Sequence, residues 1–213
     1  MTKTEEIGIN RKSFWDGIYK SSMPHQTGWY QDNPKISLEL INSLGLTKSS
    51  KIIDIGGGDS LFVDHLVDLG FEDITVLDVS KNAIKRAKKR LGKRAKRIKW
   101  LVSDVLDFDS VESYELWHDR ACLHFLTRED ERDQYAAVAK KAIAGKGALI
   151  IGAFSKTGPE RCSGLPIQQY TCHELYQYFS DTFEQVESIE TVHITPSKTK
   201  QNYVFCHFNK FTN

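Results

Sequence analysis

The chain has no apolar run approaching the ~20 residues that a membrane-spanning helix needs. Its first residues, Met1 to Glu6, lack the apolar core of a secretory signal. Cysteine is sparse: Cys122, Cys162, Cys172 and Cys206 form no C-x-x-C pair and no metal-ligand spacing. These absences point to a cytoplasmic chain with reduced thiols and no bound metal, a local disulfide staying open. There is no internal repeat, no low-complexity linker and no second-domain boundary, so 213 residues are expected to form one domain. Acidic residues are missing from Lys81 to Lys99, which holds eleven Lys or Arg although the whole chain has a net charge of only +1.

Two further absences concern Lys51-Ile-Ile-Asp-Ile-Gly-Gly-Gly-Asp-Ser60. A dinucleotide fingerprint needs a third glycine where Leu61 stands, and the Lys-Ser/Thr pair of a phosphate loop is lacking. What remains is a β-branched strand, a glycine turn and a helical pattern in Leu61, Phe62, His65, Leu66 and Leu69 that ends at Gly70. Asp59 or Ser60 is placed to cap that helix. Strand, glycine turn and helix make the ligand-holding corner of an open α/β sheet. Asp54 sits two residues before the first glycine, and a carboxylate there suits a ligand with a positive group better than a pyrophosphate. S-adenosylmethionine, with its ammonium and sulfonium, meets that requirement.

The remaining pattern alternates strands and helices. A frayed stretch to about residue 11 precedes a short helix from Arg11 to Tyr19, a polar loop holding Trp29 and Tyr30, and a helix opened by Asn33-Pro34. Strands are predicted at 51–55, 74–79, 98–102, 114–118, 148–154, 183–194 and 201–208. Helices are predicted near 81–91, from Thr127 with Asp130 as a capping-box pair, and from Thr171 with Glu174. The last two strands are joined by a short turn, so one is antiparallel. The stretch from Ser155 to Tyr170 is long for a connection. Acids mark four successive strand ends: Asp54, Asp78, Asp104 and Asp119.

This arrangement resembles the class I S-adenosylmethionine-dependent methyltransferases over essentially the whole chain. Their D-x-G-x-G motif stands here as Asp54-Ile-Gly56-Gly57-Gly58. The resemblance implies a Rossmann-like α/β fold: a seven-stranded, mostly parallel sheet with helices on both faces and an antiparallel last strand. It also implies a 1–45 helical cover over a 51–213 cofactor-binding core. The glycine turn would face the methionine part of S-adenosyl-L-methionine. Asp78, with Val79 beside it, would accept hydrogen bonds from the ribose hydroxyls, and Ser103-Asp104-Val105 would read the adenine. Phe14-Trp15-Asp-Gly-Ile-Tyr19 and Trp29 look like the aromatic cover of thiopurine methyltransferases. Trp117-His-Asp119-Arg120 is similar to their fourth-strand segment, with Ala121 where glycine is usual. Tellurite-resistance and elongation-factor lysine methyltransferases share much of this plan.

Arg120 is then expected to orient the acceptor or stabilise an anion; Asp119, His118 and His124 are weaker catalytic candidates, and a structural Asp119–Arg120 ion pair is the alternative. The 155–170 loop, with Arg161, Cys162 and Tyr170, is expected to shape the acceptor pocket. A small-molecule acceptor is the leading expectation. A protein lysine is the alternative, and a non-catalytic binding module is the rival outside enzymology. The basic run is read as a solvated helix face, not a nucleic-acid patch, because Ala83, Ile84, Ala87 and Leu91 face inward and aromatic interleaving is nearly absent.

Overall fold

The computed structural model describes residues 10–211. The expected fraying of the first residues falls mostly outside that range. Two helices lead, α1 (Arg11–Ser21) and α2 (Lys35–Ser43). Then follow β1 (Lys51–Ile55), α3 (Phe62–Asp68), β2 (Asp73–Asp78), α4 (Lys81–Leu91), β3 (Ile98–Val102), β4 (Tyr114–Arg120), α5 (Glu129–Ala142) and β5 (Ile143–Phe154). A two-stranded pair, β6 (Arg161–Cys162) and β7 (Leu165–Pro166), lies in the long connection. The helix α6 (Cys172–Gln177) and the strands β8 (Phe183–Ile194) and β9 (Lys200–Lys210) close the chain.

Seven strands form one sheet in the order β3-β2-β1-β4-β5-β9-β8. The first five in this row run parallel, and β9 is antiparallel to both β5 and β8. Strands β1 and β2 are largely β-branched runs buried on both faces, and β4 is buried over most of its length, as a sheet covered by helices on both sides requires. One core joins Trp117, Leu149 and Phe208 with Tyr135 and Leu175 of α5 and α6. The other joins Ile52, Ile74 and Leu116 with Ile41, Leu66 and Ile84 of α2, α3 and α4. The chain builds β1, β2 and β3 outward in one direction, then returns to place β4 on the other side of β1. That reversal opens a crevice beyond the strand ends, where ligands bind in sheets of this kind.

Several boundaries depart from the sequence expectation. Pro34 is the residue preceding α2, not its first turn. Helix α5 starts at Glu129 without a side-chain cap, so Thr127 and Asp130 form no capping box. Its first turn is instead acidic, which favours the positive end of the helix dipole. Gly145 and Gly147 lie within β5 instead of ending the helix, because Ile143 already pairs with Tyr114 across an irregular step in the ladder. Cys172 and Cys206, expected as thiols, form a disulfide between α6 and β9, with Cα atoms 5.8 Å apart.

Candidate active site

The crevice beyond β1, β2 and β4 is a cavity with an acidic floor. Asp54 (paired in register with Val76 and His118) leads into a turn where Gly56 and Gly58 have positive φ. All three glycines of the turn are needed for space, and Gly56 and Gly58 for conformation too. A Cβ at Gly57 would overlap Asp54 Oδ2, and one at Gly58 would lie 2.5 Å from the Tyr19 hydroxyl. Asp54 Oδ1 accepts from His118 Nδ1 at 2.7 Å. A carboxylate only accepts, so the proton lies on Nδ1. His118 Nε2 meets the Ser37 hydroxyl of α2 at 2.8 Å, and the Phe62 ring lies 4.1 Å from the imidazole. His118 is therefore a buried link between the floor and α2.

Asp78, at the end of β2, accepts from the Ser80 amide at 2.7 Å and from the Gly58 amide. Burial pushes its carboxyl up to about 7, against the lowering effect of those amides, with Asp59 and Asp54 adding repulsion. It has no salt bridge among the described residues, so lone pairs remain for a ligand. Asp104, after β3, gives one oxygen to the Leu106 amide and the other to Arg11 Nη1 at 2.8 Å. Arg11 also meets Glu131 and lines the cavity.

Helix α1 and the loop after it form the ceiling. Trp15 lies 5.8 Å from Trp29 and 4.9 Å from Phe125 between ring centres, and Tyr19 lies 5.9 Å from Trp29. The helix is fastened to α4 from two sides. Asp16 accepts from the Ser80 hydroxyl and the Asn82 amide. Arg86 Nη1 donates to the Tyr19 and Ser22 carbonyls at 2.9 and 2.8 Å, and its Nη2 lies 2.9 Å from Asp59. Part of the basic run is thus internal. Arg90 and Arg94 pair with Asp64 and Asp68, and Lys99 with Glu112 and Asp73.

Arg120 ends β4 and lines the cavity beside Ala121, Cys122, Phe125 and Cys162. Ala121 has φ 71°, a left-handed conformation that costs any residue with a Cβ and accounts for glycine being usual after this arginine. Asp119 points the other way. It is fully buried, and its oxygens accept from the Cys122 and Leu123 amides and the Tyr135 hydroxyl. A weaker catalytic candidate in the sequence, it is held here as a buried anchor of the turn after β4 and makes no ion pair with Arg120. His124 is also fully buried and outside the cavity wall. Burial, aided by Arg120, pushes its pKa down to about 3, which makes it a poor base. Of the long connection, only Cys162 reaches the cavity; Arg161 bonds the Gly164 carbonyl and Tyr170 is buried outside the cavity wall.

The structure therefore brings Trp15, Tyr19, Trp29, Asp54, Gly56, Gly57, Asp78, Val79, Ser103, Asp104, Val105 and Arg120 around one cavity, with Gly58 supporting its floor from behind Tyr19. Asp119 stays outside it. Among the described residues no His, Cys, Asp and Glu cluster could hold a metal ion. No helix among them is long and apolar enough to cross a membrane.

A family model described as a methyltransferase domain matches residues 52–147. Over these residues the chain carries a methyltransferase domain, and its activity is S-adenosylmethionine-dependent methyl transfer. Around this methyltransferase domain the likeness extends over nearly the whole chain. EEF1A lysine methyltransferase 2 of Danio rerio is 22% identical over 208 residues, 89% of this chain and 83% of that protein. A solved structure concerned with converting a disulfide bond into a thioacetal group during echinomycin biosynthesis superimposes with a TM-score of 0.77 at 19% identity, covering 95% of this chain and 94% of that one. The N-methyltransferase NodS from Bradyrhizobium japonicum WM9, in complex with S-adenosyl-L-homocysteine, gives 0.69 at 18% identity, covering 94% and 99%.

Proposed function

We propose that this methyltransferase acts on a small-molecule nucleophile held at the Arg120 end of the cavity. The observation that carries this reading is the aromatic ceiling. Trp15 packs against both Trp29 and Phe125, so aromatic rings roof that end and offer flat apolar surface to a small acceptor. The floor suits the cofactor. Asp54 and the glycine turn would meet its methionine portion, Asp78 has lone pairs left for two ribose hydroxyls, and Ser103, Asp104 and Val105 border the place for adenine. The aromatic cover and the Asp119-Arg120 segment support a place near the thiopurine and tellurite-resistance methyltransferases.

When bound, S-adenosylmethionine supplies an electrophilic methyl group; the acceptor's lone pair bonds to that carbon while the carbon–sulfur pair returns to sulfur. The chain's residues align the two ligands and exclude water. No lining thiol is poised to take a proton: burial raises Cys122 well above its ordinary value and pushes Cys162 up to about 11. His118 is occupied by Asp54 and Ser37. The site therefore suits an acceptor whose nucleophile is already unprotonated, or an amine that sheds its proton to water after transfer.

A lysine of a protein is the second reading, supported by the Danio rerio relative and by the reach a thin side chain has into a narrow cavity. The test incubates the purified chain with methyl-labelled S-adenosylmethionine and either a protein-free metabolite extract or a dialysed protein extract. Label is expected in the metabolite fraction. Label confined to protein lysines would replace the first reading with the second.

A further inference from the structure

Arg120 differs from the other partly buried arginines. Arg11 and Arg86 face carboxylates, and Arg132 donates to the Tyr178 hydroxyl and to the Leu126 and Thr127 carbonyls. Arg120 has no ion pair among the described residues. Its Nη1 donates to the Trp29 carbonyl at 3.0 Å, and its guanidinium carbon lies 4.8 Å from the centre of the Tyr203 ring. Its Nε and Nη2 are shielded from solvent and have no hydrogen-bond partner. Those two atoms form one edge of the guanidinium, with N–H groups pointing the same way. That edge matches the two oxygens of a carboxylate.

The surroundings supply no counter-charge. Asp54 is held by His118, Asp59 by Arg86 and Asp104 by Arg11, while Asp78 lies at the end of β2. Beside Arg120, the Cys162 thiol and the Tyr203 hydroxyl stay protonated, since burial raises both. His124 and His193 stay neutral, since burial and Arg120 both oppose their charging. Two buried, unmade donors on a partly buried cation are costly unless a ligand completes them. Among the described lining residues the only other Lys or Arg is Arg11, which Asp104 and Glu131 already engage. One cation suits a singly charged, planar anion better than a phosphate.

We infer that the acceptor carries a carboxylate, which displaces the side chains covering the Nε–Nη2 edge of Arg120, docks there and holds the nucleophile toward the cofactor. This rests on the small-molecule reading above. The Tyr203 face and the Trp29 carbonyl fix the guanidinium's plane, so the carboxylate sets the acceptor's orientation as well as its affinity.

The test loads the protein with S-adenosylhomocysteine and titrates it with benzoate or benzamide, which share a shape and differ in charge. Binding is followed by tryptophan fluorescence and by the arginine Nε–Hε resonance that disappears in Arg120→Lys. Benzoate is expected to bind about tenfold or more tighter than benzamide and to shift that resonance. The preference should vanish in Arg120→Gln and shrink in Arg120→Lys, which keeps the charge and loses the fork. S-adenosylhomocysteine titrated in parallel reports whether each variant still folds. Equal binding of acid and amide, an acid preference that survives in Arg120→Gln, or no binding of benzoate to the loaded wild type would overturn the inference. Failure of the wild type to bind S-adenosylhomocysteine would instead strike the cofactor site, and label confined to protein lysines would strike the small-molecule reading.

Discussion

At the residue scale, Asp78 combines a structural cost with a binding role. Its folded-state pKa of about 7 lies above the unassisted 3.8 because burial disfavours the charged form. Its contribution to stability is therefore complete below the unfolded value and lost as pH rises through 7. Cofactor binding has the opposite sign, because ribose hydroxyls donate best to the ionised carboxylate. Calorimetric titration of S-adenosylhomocysteine should show affinity falling about tenfold per unit as pH drops below 7, and Asp78→Asn should flatten that dependence. Asp54, Asp78 and the glycine turn were legible in the sequence because each is local: an acid at a strand end, beside residues without Cβ. Asp119 looked the same in sequence and does something else. Its carboxylate is consumed by two amides and Tyr135, the last sixteen residues away, and no local pattern reveals that choice. Ala121 was visible as a departure from the usual glycine, and its positive φ is the reason glycine is usual there.

At the element scale, α1 owes its position to side chains that reach it from elsewhere. Its 11 residues bury little, only Tyr19 being fully enclosed, so packing alone does not hold it. Arg86 and Asp16 fasten one side, and Arg11 reaches Asp104 from its N-terminus. These contacts span more than sixty residues of sequence, which is why a charged run from Lys81 to Lys99 reads as a solvated face although Arg86 is committed to α1; Arg90 and Arg94 pair while staying exposed. The amphipathic pattern fixed the inner face of α4 correctly, with Ala83, Ile84, Ala87 and Leu91 buried. It carried no information on where the long cations fold back. Arg86→Ala removes two hydrogen bonds to carbonyls of the α1 end and leaves Asp59 without that charge. Hydrogen exchange in residues 11–21 should speed up, and S-adenosylhomocysteine should bind about tenfold more weakly, while the sheet amides keep their protection.

At the scale of the whole molecule, strand order decides where chemistry can occur. The alternation of strands and helices was enough to expect the parallel sheet and its antiparallel member, since period and turn signals are short-range. The acceptor end was less legible, because it is assembled from β4, the loop holding Trp29, the β6 strand and β9. The ceiling has a kinetic consequence. Arg11, Asp16 and Arg86 pin one helix at both ends across the mouth of a cavity that two products must leave. Release past this helix is expected to need the pins to let go, and that motion is expected to set the pace of repeated turnover. Rapid mixing should then reveal a burst of methylated product close to one equivalent of enzyme, followed by a slower steady rate. Arg86→Ala should raise the second phase relative to the first. The helix that protects each transfer from water is also the clock for the next one.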